Sequence, residues 1–89
     1  MARLRIDPEE VANFVAFLEA FNRDLQDRTS QMHAEFERQS DNWNDAKYEQ
    51  FAEEFNRCAK LIAGFTTSTK QSTIPGMRNA VERARAYLR

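Results

Sequence analysis

The histidine and the thiol, the side chains best suited to act as base and nucleophile near neutral pH, each stand alone: His33 is the only histidine and Cys58 the only cysteine. A zinc site needs three or four His, Cys or acidic ligands at workable spacing. A nucleophile needs a base within hydrogen-bond reach. Neither arrangement is visible around His33. The acidic pairs Glu9-Glu10 and Glu53-Glu54 would need a pocket to do acid–base work, and on thin helices they read as solvated faces. With two glycines in the whole chain, there is no Gly-rich loop to cradle phosphate. No catalytic residue, metal or cofactor is therefore expected, and the chain does not read as an enzyme. Cys58 reads as a small buried hydrophobe on a helix, and a single cysteine excludes an internal disulfide framework.

What remains is the stretch from Ser40 to Phe55, which holds the only tryptophan, Trp43, inside a polar cluster. Short Ser, Asp and Asn side chains bond to nearby backbone amides, so such a cluster marks turns and helix caps. The spacing predicts a helix, a tight reversal around Trp43, and a second helix capped by Asn44 or Asp45. Trp43 has two roles open to it. It plugs the end of the helix pair against Phe36 and Ala46, or it is a docking knob, since Trp anchors tend to dominate interfaces.

The elements that position this turn follow from periodicity. Asp7-Pro8-Glu9-Glu10 is a helix start: an N-cap, a proline at the first helical position and acids at the positive end of the dipole. Apolar residues then recur at Val11, Phe14 (with Val15), Leu18, Phe21, Leu25, Met32 and Phe36, steps of three and four that define one helical face. The stripe is interrupted around Arg28 and Thr29 and widened by Phe17. A helix from Pro8 to about Ser40 is predicted. The second helix carries Tyr48, Phe51 (with Ala52), Phe55, Cys58 (with Ala59), Ile62 and Phe65. Hydroxyl residues from Thr66 to Thr73 and then Pro75 lower helix propensity, so a kink or break is expected near Ser72 to Gly76. Met77, Val81, Ala84 and Leu88 restart the stripe, either continuing the second helix or folding back. A reversal centred on Trp43 would set Pro8 near Arg78 and Pro75 opposite Val11. The last ten residues would then overhang the first helix, covered only by residues 1–6.

Length and composition fit this picture. The chain has 89 residues, 42% hydrophobic and 30% charged, which reads as one folded all-α domain, 1–89, rather than a disordered chain. No apolar run approaches the ~20 residues of a membrane span, and the N-terminus lacks the apolar core of a cleaved secretory signal. The expectation is a cytoplasmic protein, or one exported by a route that reads no cleaved signal. The net charge of −1 is unevenly spread: residues 1–59 hold 7 Lys/Arg and 13 Asp/Glu, residues 60–89 hold 6 Lys/Arg and only Glu82. A basic C-terminal segment could contact nucleic acid, but its aromatics are sparse and no nucleic-acid motif is present. Complementary arms, within one hairpin or across a dimer, explain the asymmetry without it.

Two helices share one contact line, and seven Phe, two Tyr and one Trp are too many for that line. Each buried Phe contributes roughly 1.5–3 kcal/mol of transfer free energy, and soluble monomers rarely expose long apolar patches. Pairing two hairpins into a four-helix bundle resolves this; a homodimer and a heterodimer with a sister hairpin both fit. Phe14, Leu18, Phe21, Leu25, Phe51, Phe55, Ile62 and Phe65 are the candidate interface. The tip carries Glu35, Glu37, Asp41, Asp45 and Glu49 against Arg38 and Lys47. The open end carries Arg3, Arg5, Arg78, Arg83, Arg85 and Arg89 against Asp7, Glu9, Glu10 and Glu82. An antiparallel dimer would set one against the other.

A Trp in a tight turn between two amphipathic helices, in a chain of this length, resembles the Trp-Xaa-Gly (WXG) helical-hairpin family, the early-secreted-antigen-like proteins of bacterial type VII secretion. The turn here reads Trp43-Asn44-Asp45, so Trp43 matches and Asp45 stands in place of glycine. The spacing of Tyr48, Phe51 and Phe55 is similar to that of the family's second helix. The resemblance implies a dimeric four-helix bundle acting as a secreted partner, adaptor or effector chaperone, not an enzyme. The family's C-terminal signal, a Tyr followed four residues later by an acid, is not matched at Tyr87. A partner would then supply the signal, or the protein would escort a larger effector. The alternative from a different class is a cytosolic structural or regulatory helical dimer that contacts nucleic acid weakly through its basic segment.

Overall fold

The computed structural model describes residues 6–88. The basic lead-in residues Arg3 and Arg5 and the terminal Arg89 lie outside that range. The described residues are nearly all helical, and no strand occurs among them. Helix α1 (Pro8–Arg38) ends in a 3-10 turn (Gln39–Asp41), the chain reverses, and α2 (Ala46–Ser68) runs through a π-helical turn (Thr69–Thr73) into α3 (Ile74–Leu88). The result is a thin rod, 62 × 23 × 17 Å.

The helix starts are local chemistry. Asp7 Oδ1 accepts from the Glu9 and Glu10 amides (3.1 and 3.3 Å) with Pro8 in the first turn, satisfying donors that have no intrahelical partner. Asp45, not Asn44, caps α2: its carboxylate accepts from the Lys47 and Tyr48 amides at 2.9 and 3.1 Å.

The chain does not break at Pro75. Helical backbone continues through it, and residues 75–88 extend the second arm rather than folding back. The irregularity lies one turn earlier. In the π turn the Ile74 amide bonds the Thr69 carbonyl, five residues back. Two causes converge there. A proline ring clashes with the carbonyl four residues before it, and a widened turn relieves that crowding. The buried stripe also steps by five, from Thr69 to Ile74, and one inserted residue brings Ile74, Met77, Val81 and Ala84 back onto the seam.

The expected cross-strand register holds near the tip, where Phe36 meets Phe51 and Phe21 meets Phe65. It fails at the open end. Arg78 bonds Glu19 (2.6 Å) instead of lying near Pro8, and Arg85 bonds Glu9 (3.0 and 3.1 Å). The inserted residue and the lean of helical side chains toward their own N-termini account for the slip. Val81 and Ala84 are buried, so α1 covers the C-terminal arm as far as Ala84, and only the last turn, with Tyr87 and Leu88 exposed, stands clear of it. Glu9 holds the Arg85 guanidinium above its ordinary pKa, with Glu82 adding to the effect. A raised arginine stays charged up to strongly alkaline pH, and added salt screens this exposed pair.

Candidate interaction surface

The seam between the arms is narrow and mixed. On α1 it runs through Val11, Val15, Leu18, Asn22, Leu25, Thr29 and Phe36; on the second arm through Tyr48, Ala52, Phe55, Ala59, Ile62, Thr66 and Thr69, then Ile74, Met77, Val81 and Ala84. Val15, Leu18 and Ile74 form the apolar core at the open end, with Val11 and Met77 against it. Phe36 anchors the tip. It stacks on Tyr48 (4.3 Å), leans on Phe51 (4.9 Å) and takes Trp43 edge-on at 6.4 Å.

Between these two apolar ends lies a polar waist. Asn22 Nδ2 donates to Thr69 Oγ1 at 2.7 Å, and that hydroxyl donates to the Phe65 carbonyl at 2.9 Å. Asn22, Thr66 and Thr69 are all buried, and Asn22 Oδ1 has no partner.

The large apolar residues expected at the contact line stand beside it. Phe14, Phe21, Met32 and Phe65 are about half exposed, Phe17 is 69% exposed and Leu61 74%. Helical geometry explains why they belong together. On α1, residues 14, 17, 21 and 32 fall on one flank of the seam, and on α2, residues 51, 58, 61 and 65 fall on one flank. Phe21 and Phe65 meet edge to face at 6.3 Å, so the two flanks lie on the same side of the hairpin. The rod therefore has one aromatic side. The other is lined by Ala12, Ala16, Gln26, Ser30 and Ala63 and crossed by the Arg78–Glu19 and Arg85–Glu9 pairs.

The candidate interface residues divide accordingly. Phe14, Phe21, Phe51 and Phe65 face outward on the aromatic side, Leu18 is spent in the core, and Leu25, Phe55 and Ile62 are half-buried in the seam. Leu61, the most exposed aliphatic residue of the face, escaped the sequence reading because a charged turn flanks it and Ile62 filled the stripe. Cys58 is exposed, not buried: Ala59, its neighbour, takes the seam position.

At the tip, Trp43 is 37% exposed and packs on Phe36 and Tyr48, whereas Ala46 is exposed. Its indole N–H donates to Asp45 Oδ1 at 2.8 Å, the same oxygen that caps α2. Asn44 is exposed and makes no side-chain hydrogen bond among those described. His33 stacks on Phe55 (5.8 Å), with Nε2 3.1 Å from Glu37 Oε1. Among the described residues no cluster of three His, Cys, Asp or Glu could hold a metal, and no helix is long and apolar enough to cross a membrane.

No family model, curated protein or solved structure matches this chain.

Proposed function

We propose that this protein is a small non-enzymatic helical-hairpin partner, related in kind to the WXG proteins, that works by packing its aromatic side against another hairpin to complete a four-helix bundle. In this reading it serves secretion, as a co-exported partner, an adaptor or an effector chaperone. The observation that carries it is the one-sided exposure of Phe14, Phe17, Phe21, Met32, Leu61 and Phe65. At roughly 200 Å² per aromatic side chain, the exposed fractions amount to about 700 Å² per chain, close to the ~800 Å² per partner of a standard interface. A monomer leaving this side wet would carry a patch larger than soluble monomers usually show.

The resemblance supports the secretion half of the reading through Trp43 and the two amphipathic arms. The nucleic-acid alternative loses support, because Arg78 and Arg85 are engaged by Glu19, Glu9 and Glu82 rather than displayed as a free basic stripe.

The test uses the tagged chain in its native host, beside the variant Phe17→Glu/Leu61→Glu. Wild type should co-purify with a hairpin-containing partner or effector, and that complex or its export should depend on the host's type VII secretion ATPase. The variant should lose both while keeping its helical circular dichroism. Complex formation and distribution indifferent to the ATPase would overturn the secretion role.

A further inference from the structure

We infer that the hairpin is two units of unequal stability meeting at the polar waist, and that its tip half opens while its two chain ends stay clasped. Three observations lead there. The first is burial. Apart from Phe36, every buried residue lies between Pro8 and Asn22 or between Thr66 and Ala84. From Ala46 to Phe65, α2 has no buried residue, and Tyr48, Ala52, Phe55, Ala59 and Ile62 are only half-buried. Second, the polar contacts divide at the same level. Among the described residues, the side-chain bonds that cross between the arms are Asn22–Thr69, Arg78–Glu19 and Arg85–Glu9, all at the waist or beyond it. The ion pairs of the tip half, Arg28–Asp24, His33–Glu37 and Arg38–Glu35, stay within α1 and tie nothing across. Third, tertiary packing supplies most of the stability of a helix, and α2 combines sparse packing with a glycine, Gly64, in its interior. A segment with few buried contacts opens at a free energy below the global one. Residues 23–65 form that segment, with the rings around Phe36 as its one anchor.

The consequence falls on Trp43. Asp45 Oδ1 both caps α2 and accepts the indole N–H at 2.8 Å. Melting of α2 from its first turn therefore releases the indole with the cap. Opening turns the tip from a closed plug into an exposed ring with a free donor, without separating the arms at the open end.

Hydrogen exchange, read residue by residue on the full-length chain at low micromolar concentration, tests this. Amides of residues 25–35 and 50–65 should exchange at least about tenfold faster than those of residues 14–22 and 78–84. Ile62→Ala should speed exchange throughout the tip half and leave the open half at its wild-type rates. In a urea titration the red shift of Trp43 emission should come before the last loss of helical circular dichroism, since two units do not unfold in one step. Equal protection in the two halves overturns the division, as does an open half that exchanges first. A rise in exchange across both halves on Ile62→Ala, or coincident urea transitions, would show a single cooperative hairpin in its place.

Discussion

Asp45 Oδ1 receives three donors: the Lys47 and Tyr48 amides and the Trp43 indole N–H. One carboxylate oxygen thus starts α2 and fixes the plane of the tip tryptophan, which glycine at this position could not do. Asp45→Ala should cost about 1–2 kcal/mol, at the upper range of an N-cap loss because a second bond goes with it. Urea unfolding followed by circular dichroism measures the cost, and a red shift of Trp43 fluorescence reports the freed indole. Because its N–H is already satisfied, Trp43 offers a partner only its ring, which favours the plug over the docking knob. At the waist the opposite outcome is expected. Asn22→Leu removes the orphaned Oδ1, and Thr69 keeps its bond to the Phe65 carbonyl, so no buried donor is stranded. Stability should rise by about 1 kcal/mol in the same urea titration. A fall of that size would mean that the Asn22–Thr69 bond outweighs the orphaned acceptor.

At the scale of elements, the π turn joins a steric demand from Pro75 to a phase demand from the stripe, and the two can be separated. Deleting Gln71 restores steps of three and four but returns the proline to a regular α-helix, against the carbonyl four residues before it. Destabilisation by about 3 kcal/mol is expected, and adding Pro75→Ala should recover most of it. If the deletion alone is harmless, the proline is not what the widened turn relieves. Gly64 sits inside α2 with helical backbone and open space where a Cβ would go. Gly64→Ala should therefore stabilise by about 0.5–1 kcal/mol, read as a higher unfolding midpoint. Much of this scale was legible beforehand: the Asp7 cap, a second cap at Asn44 or Asp45, the Trp43 reversal and both arms follow from residue type and spacing. The seam was not. Sequence periodicity picks the largest apolar residue at each step, here Phe14, Phe21, Cys58 and Phe65. Two closely packed backbones instead bury the smaller or polar neighbours Val15, Asn22, Ala59 and Thr66. A hydrophobic count is blind to Asn and Thr in a seam, and a stripe wide enough for two partners cannot say which edge faces its own chain.

For the whole molecule, the thin seam and the wide aromatic side together set how stability depends on concentration. A two-helix rod buries little, and its waist is polar, so the isolated hairpin is marginal. A partner that binds only the folded face stabilises by mass action, and the gain grows with the ratio of concentration to dissociation constant. The melting temperature of the wild-type chain should therefore climb measurably between about 1 and 100 μM. Phe17→Glu/Leu61→Glu places charges on the face at two positions that are mostly solvent-exposed in the hairpin, so it should leave the monomer fold intact. In that variant the melting temperature should be lower at 100 μM and nearly independent of concentration, with circular dichroism at low temperature unchanged. Calorimetry across the dilution series reads both. Should wild type and variant melt alike at every concentration, self-association through the aromatic side fails, and the proposed function then stands or falls on a different hairpin co-purifying in the host.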